Sequence, residues 1–182
     1  MALVAGSLAG LASAQDVAAN QKSASSPGPS RATPDVEPAS LAGMLAAQNQ
    51  VRARLGLQPL TWSAELSATA AVTVEAAAEG ACSMGSTEKA VRAADVSLYW
   101  ASAVRRFGGE DAMQDISSSY VVSRWREGRS SYDVDARACR SSSTECAAYA
   151  RMVAAANAEV GCARKRCPSS AQVWICQYDE RH

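Results

Sequence analysis

The cysteines are the residues with the clearest chemistry in this 182-residue chain. Six are present, all in the C-terminal two thirds of the sequence: Cys82, Cys139, Cys146, Cys162, Cys167 and Cys176. An even number of cysteines without any Cys-x-x-Cys pair favours disulfide bonds over a structural zinc site. Because disulfide bonds persist in oxidising compartments, the cysteines predict a secreted, extracellular protein.

Histidine and the acidic residues offer little for catalysis. The only histidine is His182, so the sequence cannot supply the two imidazoles of a histidine-based metal site. Glu110 and Asp111 follow a glycine pair, and Glu127 directly follows a predicted helix; they are the candidate acids of an alternative, an extracellular hydrolase. General acid and base catalysis needs two groups at a fixed separation, and the sequence identifies no such pair. We therefore expect a protein that is not an enzyme and has no cofactor.

Charge excludes some classes of partner. Lys plus Arg and Asp plus Glu each number 18, so the net charge is zero and nothing attracts nucleic acid or an anionic membrane. The basic run Arg164, Lys165 and Arg166 could contact an acidic protein, but the exposed end of a hairpin explains it more simply. We expect a monomer.

The N-terminal region differs in composition from the rest. Residues 1–14 are small and apolar and end in Ala12-Ser13-Ala14, the pattern that signal peptidase cuts, although no Lys or Arg precedes Lys22. They predict a signal peptide, possibly truncated, and are too short for a membrane span of about 20 residues. Residues 15–38 are rich in Ser, Pro and Ala and predict a disordered linker. The folded domain is then expected over residues 39–180, with no membrane span.

Hydrophobic spacing predicts four helices and three strands. The helices have apolar residues at three- and four-residue steps and span residues 41–55, 63–79, 120–126 and 145–156. Ser40, Ser63 and Thr144 are the expected N-caps, and Gly56, Gly80 and Gly128 the expected ends. The predicted strands are residues 96–101, 159–166 and 172–178, the last two forming an antiparallel pair. Such a mixture indicates a layered α/β fold.

Several motifs occur in an order that is specific to one family. They are Asn49-x-x-Arg52, Pro59-Leu60-Thr61-Trp62, Val160-Gly161-Cys162-Ala163 and Val173-Trp174-Ile175-Cys176-Gln177-Tyr178-Asp179. With these motifs, residues 41–179 resemble the cysteine-rich secretory, antigen 5 and pathogenesis-related (CAP) superfamily, with its SCP domain. The resemblance implies a three-layer α-β-α sandwich with a small central antiparallel sheet.

The resemblance also implies how the cysteines pair. Six cysteines alone allow about 15 pairings. The plant members, of the pathogenesis-related protein 1 type, imply Cys82 with Cys167, Cys139 with Cys146, and Cys162 with Cys176. The short loop of the second pair and the predicted hairpin around the third are compatible with this pairing.

Members of the family have a cleft in which two histidines and two glutamates bind a divalent metal. Matched by position, the histidines correspond to Gln48 and Ala148, and the glutamates to Val96 and Gly128. Glu127 is one place away, and one residue turns a helical side chain by about 100 degrees, so it is not counted as a ligand. The resemblance therefore implies a degenerate metal site, no bound metal and a drier, alanine-lined groove.

For function, the resemblance implies a secreted, non-catalytic binding module. Its partner would be a lipid or sterol, or an extracellular protein met in defence or host interaction. The simpler alternative for Val96, Ala148 and Met152 is that they only pack the core.

Overall fold

A four-stranded sheet divides the folded region into three layers. The computed structural model describes residues 35–78, 82–85, 87–88 and 96–180. The predicted signal peptide, residues 15–34 of the predicted linker, Gly80 and His182 lie outside the described residues.

Within those ranges the longer α-helices are α1 (Met44–Ala53), α2 (Ala64–Ala78), α3 (Ser118–Glu127) and α4 (Thr144–Met152), and residues 84–85 and 87–88 are also helical. Two 3-10 helices are η1 (Ala39–Leu41) and η2 (Gly128–Ser131). The strands are β1 (Thr61–Trp62), β2 (Ser97–Ala101), β3 (Val104–Arg105), β4 (Asp111–Ala112), β5 (Tyr132–Asp133), β6 (Ala138–Cys139), β7 (Asn157–Arg166) and β8 (Gln172–Glu180).

The main sheet has the strand order β1-β7-β8-β2. β7, β8 and β2 are antiparallel neighbours, as expected. β1 runs parallel to β7, with Thr61 opposite Glu159, so this strand makes the sheet mixed while its other three strands are antiparallel. A long connection separates β1 from β7, so no tight turn forces the two strands to run in opposite directions. Strand pairs β3–β4 and β5–β6 form two small hairpins that were not predicted, because two residues are too few to show a period.

Side chains of the sheet alternate between two core clusters. In β8, Trp174 and Cys176 pack with α1, α3 and α4, whereas Val173 and Ile175 pack with α2. We call these sides the α1 face and the α2 face. Because successive residues of a strand point to opposite faces, one sheet supports helices on both sides, and the three-layer sandwich expected from the sequence is confirmed.

Two carboxylates outside the helices determine where α1 and α2 begin. Ser40 lies within η1, so its predicted role as the N-cap of α1 is wrong. Instead the Glu37 carboxylate accepts hydrogen bonds from the amides of Gly43, at 3.0 Å, and Leu45, at 2.7 Å. Asp35 accepts in the same way from the amide of Ala64 at 2.9 Å, at the start of α2. The folded domain therefore includes residues 35–38, which the sequence assigned to the linker.

α4 also differs from its prediction at both ends. Ser143, not Thr144, is the N-cap, and its hydroxyl accepts from the amide of Cys146 at 3.1 Å. The helix ends at Met152 rather than near residue 156, because Asn157 already begins β7. The Asn157 side chain donates to the carbonyl of Arg151 at 2.8 Å, which holds the chain at this change of direction.

Other predicted boundaries are confirmed. Gly56 has φ +68°, the left-handed conformation expected after α1. The Ser63 hydroxyl accepts from the amide of Leu66 at 3.3 Å at the start of α2. α3 ends at Glu127, and Gly128 continues into η2.

Three disulfide bonds join the pairs that the resemblance implied. They link Cys82 to Cys167, Cys139 to Cys146, and Cys162 to Cys176. Along the sequence the partners are 85, 7 and 14 residues apart. Among the described residues, no helix is long and apolar enough to cross a membrane.

Candidate functional site

A cavity of about 810 Å³ opens along β2, at one edge of the described sheet. Its wall is formed by the apolar and aromatic side chains Met84, Leu98, Tyr99, Trp100, Ala101, Tyr120 and Trp125. Polar side chains complete the lining: Glu88, Ser102, Gln114, Arg124, Ser142, Ser143, Thr144 and Glu145. Both the volume and the mixture of groups suit a small organic ligand.

Hydrogen bonds hold the aromatic wall in place. The indole of Trp125 donates to the carbonyl of Leu98 at 2.8 Å, and the indole of Trp100 donates to the carbonyl of Cys82 at 2.8 Å. The rings of Tyr99 and Tyr120 meet edge to face, with their centroids 6.1 Å apart. The wall is therefore positioned before any ligand arrives, which reduces the entropy lost on binding.

The hydroxyl of Tyr99 remains protonated at physiological pH. Burial, and then the neighbouring Tyr120, raise the pKa of Tyr99 to about 12. Such a hydroxyl can donate or accept a hydrogen bond inside the cavity, but it is a poor base. A second hollow of about 170 Å³ adjoins the cavity, sharing Glu88, Leu98 and residues 142–144, and extends toward Val96, Ala147 and Arg151.

Gln48, matched to one of the family's histidines, is fully buried in the core of the α1 face. Its Oε1 accepts a hydrogen bond from the hydroxyl of Tyr178 at 2.8 Å. Its Nε2 lies 3.9 Å from Sγ of Cys162 and 3.8 Å from Sγ of Cys176. The amide thus belongs to a hydrogen-bonded network around a disulfide bond and points into no cavity described here.

The other three positions matched to the family's metal ligands are also packed. A Cβ at Gly128 would collide with the Glu145 carbonyl and lie 2.6 Å from the amide nitrogen of Cys146, so this position has no room for a side chain. Ala148 is fully buried, and its carbonyl accepts from the Ser97 hydroxyl at 3.4 Å. Val96 belongs to the core of the α2 face and reaches the edge of the smaller hollow.

These four residues do not fit a metal ion. They offer one amide oxygen, which already accepts a hydrogen bond, and no imidazole or carboxylate. Among the described residues, no group of three or more His, Cys, Asp or Glu side chains could hold a metal. The expected alanine-lined groove is wrong, because Ala148 faces the core while aromatic and polar residues line the cavity.

The acids of the alternative hydrolase are not brought into the cavity. Glu110 and Asp111 lie on the exposed β3–β4 hairpin, where Asp111 pairs with Arg105 at 3.5 Å. Glu127 is exposed and pairs with Arg124 at 2.6 Å. Glu88 and Glu145 do line the cavity, and the sequence analysis had singled out neither of them.

The basic run Arg164 to Arg166 makes contacts within the domain. Lys165 pairs with Glu75 at 2.6 Å, and the guanidinium of Arg164 lies 4.9 Å from the ring centroid of Trp174.

The Asn-x-x-Arg motif forms a polar clasp inside the domain. Asn49 exchanges two hydrogen bonds with the backbone of Leu60. Arg52 donates to the carbonyls of Gln58, Met152, Ala154 and Asn157 at 2.8 to 3.0 Å.

No sequence pattern indicated the cavity. Most of its residues come from β2, α3 and the start of α4, and no periodic pattern links these segments. The only available signal was the cluster Leu98, Tyr99 and Trp100, which was interpreted as a strand. That interpretation is confirmed for residues 97–101, and because β2 is an edge strand it also forms the cavity wall.

The chain matches a family model described as "CAP: Cysteine-rich secretory protein family" over residues 45–178. Pathogenesis-related protein 1B of Nicotiana tabacum is 28% identical over 141 residues, covering 74% of this chain and 71% of the relative. Pathogenesis-related protein 1A of the same plant is 27% identical over 138 residues, with the same coverage, 74% and 71%.

Solved structures share the fold at low identity. Hookworm platelet inhibitor superimposes with a TM-score of 0.56 at 15% identity, covering 81% of this chain and 72% of the other. Schistosoma mansoni venom allergen-like protein 4 gives 0.53 at 13% identity, covering 79% and 90%.

Proposed function

The chain belongs to the cysteine-rich secretory protein (CAP) family, and from that premise we propose that it is a secreted, non-catalytic protein that binds a sterol or similar lipid in the cavity along β2. The observation that carries the proposal is the lining of this cavity. A wall of Leu98, Tyr99 and Trp100 lies beside hydrogen-bonding groups such as Thr144, so a flat apolar body and one polar end can be accommodated together.

The same lining argues for binding rather than hydrolysis. Glu110, Asp111 and Glu127, the acids expected for a hydrolase, are exposed, and none of them lines the cavity. The relatives named pathogenesis-related proteins support a role of the proposed binding in defence or host interaction. Export is supported by the apolar residues 1–14 and by the three disulfide bonds.

Loss of the family's metal centre is part of the proposal. It is supported by the packing of Gln48, Val96, Gly128 and Ala148. We expect isothermal titration of the oxidised, tag-free protein with zinc chloride to give no saturable heat. Stoichiometric micromolar binding that the Gln48→Ala variant abolishes would contradict the loss of the metal centre.

Tryptophan fluorescence tests the ligand class, since Trp100 and Trp125 both line the cavity. We expect saturable quenching on titration with a dispersed sterol, and about tenfold weaker binding for Tyr120→Ala, which removes one ring of the wall. Val72→Ala is the matched control, because Val72 is 71% exposed on α2 and lines none of the hollows described. Absence of saturation, or equal weakening by both variants, would refute sterol binding in this cavity.

A further inference from the structure

Three arginines surround a separate hollow of about 240 Å³ between α1, α3 and η2. Arg54 follows the end of α1, Arg126 lies in the last turn of α3 and Arg129 lies in η2. All three are exposed. The remaining lining is apolar or aromatic: Val51, Leu55 and Tyr149. Two regions that are distant in sequence, the end of α1 and the junction of α3 with η2, therefore place three guanidinium groups around one small depression.

The charge of these arginines is not balanced by a carboxylate in the part of the chain that the structure describes. No ion pair involves Arg54, Arg126 or Arg129 there, and the neighbouring Glu127 pairs with Arg124 at 2.6 Å. None of the six residues that line the hollow is acidic. The depression is therefore electropositive and available to a ligand with negative charge.

The floor of the hollow is rigid and largely apolar. Val51 is 8% exposed and Tyr149 is 3% exposed, whereas Leu55 is 40% exposed and offers its side chain to a ligand. The Tyr149 ring is held edge to face against Tyr132, with centroids 5.4 Å apart. A smaller hollow of about 90 Å³ shares Val51, Arg54 and Arg126, so the depression continues along the groove between α1 and α3.

Guanidinium groups bind tetrahedral oxyanions through paired N–H donors, and three of them match the two negative charges of a phosphate monoester better than the single charge of a carboxylate. The apolar floor can cover the carbon part to which such a group is attached. We propose that Arg54, Arg126 and Arg129 form a binding site for a phosphate monoester, with Leu55 and Val51 contacting the organic part. The site is independent of the cavity along β2, and neither needs the other.

Isothermal titration with phenyl phosphate on the full-length, oxidised chain tests this site. We expect one saturable event, weakened at least about tenfold in the double variant Arg126→Gln/Arg129→Gln. The matched control is Arg105→Gln/Arg106→Gln, which removes the same charge from the β3–β4 hairpin and should bind as the wild type does. Circular dichroism melts of both variants establish that each is folded.

Two further ligands distinguish a phosphate monoester from free phosphate and from a carboxylate. Inorganic phosphate should bind about tenfold more weakly than phenyl phosphate, since it cannot contact the apolar floor, and benzoate should also bind more weakly, since it carries one charge. Equal affinities for the two phosphates would refute the monoester and leave a site for free phosphate. No saturable heat, or equal weakening in the hairpin control, would refute the site altogether; in that case the arginines would serve only the negative ends of α1 and α3.

Discussion

The two faces of the central sheet are stabilised by different means. On the α1 face, three helices enclose buried polar groups, and Gln48 and Arg52 are both fully buried and hydrogen-bonded. On the α2 face, α2 packs Ala70, Val74 and Ala77 against the sheet, and the disulfide bond from Cys82 to Cys167 lies in the same cluster. One face thus depends on a polar clasp, and the other on close packing of small residues and a long-range covalent link.

This difference bears on where ligands can bind. Residues of α2 line none of the hollows described above, whereas α1, α3 and α4 contribute to several of them. The ligand sites that we propose therefore lie on the α1 face and at the β2 edge, and neither is lined by α2.

The long-range disulfide bond should give the largest effect. Replacing both Cys82 and Cys167 with Ala releases a loop of 85 residues and should lower the free energy of unfolding by about 4 to 5 kcal/mol. The matched control is Cys139→Ala/Cys146→Ala, whose partners are 7 residues apart, with an expected loss of about 2 kcal/mol. Urea denaturation measures both, and equal losses would show that the α2 face does not depend on its covalent link.

The clasp of the α1 face can be broken at one residue. Arg52→Met would leave the carbonyls of Met152, Ala154 and Asn157 without this donor, and we expect a loss of about 4 kcal/mol in the free energy of unfolding. Arg54→Met is the control: Arg54 directly follows the same helix and is exposed, and the loss of stability should stay within about 0.5 kcal/mol. Similar urea midpoints for the two variants would contradict the clasp.

A substitution at Gly161 tests how closely α2 packs against β7. A Cβ there would collide with the backbone of Leu66 and Ser67, so Gly161→Ala should cost about 1 to 3 kcal/mol. Gly85→Ala is the control, since a Cβ at Gly85 meets nothing within 4 Å and should change stability by less than about 0.5 kcal/mol. Thermal melts followed by circular dichroism compare the two, and a neutral Gly161→Ala would show that the helix can move away.

The smallest effect is the pH dependence of the polar network on the α1 face. Burial raises the pKa of Tyr178 well above its ordinary value of 10.0, with a hydrogen bond from Ser97 acting in the opposite direction. Since the folded-state pKa is the higher one, the neutral hydroxyl stabilises the fold fully below pH 10 and this contribution is lost as the pH rises further.

To test this, the pH dependence of stability is compared between the wild type and Tyr178→Phe. The variant loses the hydrogen bond to Gln48, which should cost about 1 kcal/mol at neutral pH, and its stability should fall less steeply above pH 10. Urea midpoints measured across the alkaline range give both slopes. Parallel slopes would show that Tyr178 titrates as it does in the unfolded chain.

Local sequence patterns predicted the elements well, but some of their ends poorly. The strand-like run 172–178 and the hydroxyl of Ser63 were sufficient to predict β8 and the start of α2. The cap of α1 was missed because Glu37, outside the helix, satisfies its first amides in place of Ser40. Which side chain caps a helix depends on how the preceding chain folds back over its first turn. The residues next to the helix in sequence do not show this.

Local patterns were enough to predict the layered α/β fold, because helix caps and periodic apolar residues occur at known spacings, and the family resemblance implied the cysteine pairing. The positions of the hollows could be seen only in the folded chain. Tyr99, Tyr120 and Glu145 line one cavity, and Arg54 and Arg129 line another hollow, although these residues are far apart along the chain. The shape of a hollow depends on how helices pack around the sheet, and this packing arises from contacts between segments rather than from the pattern within any one of them.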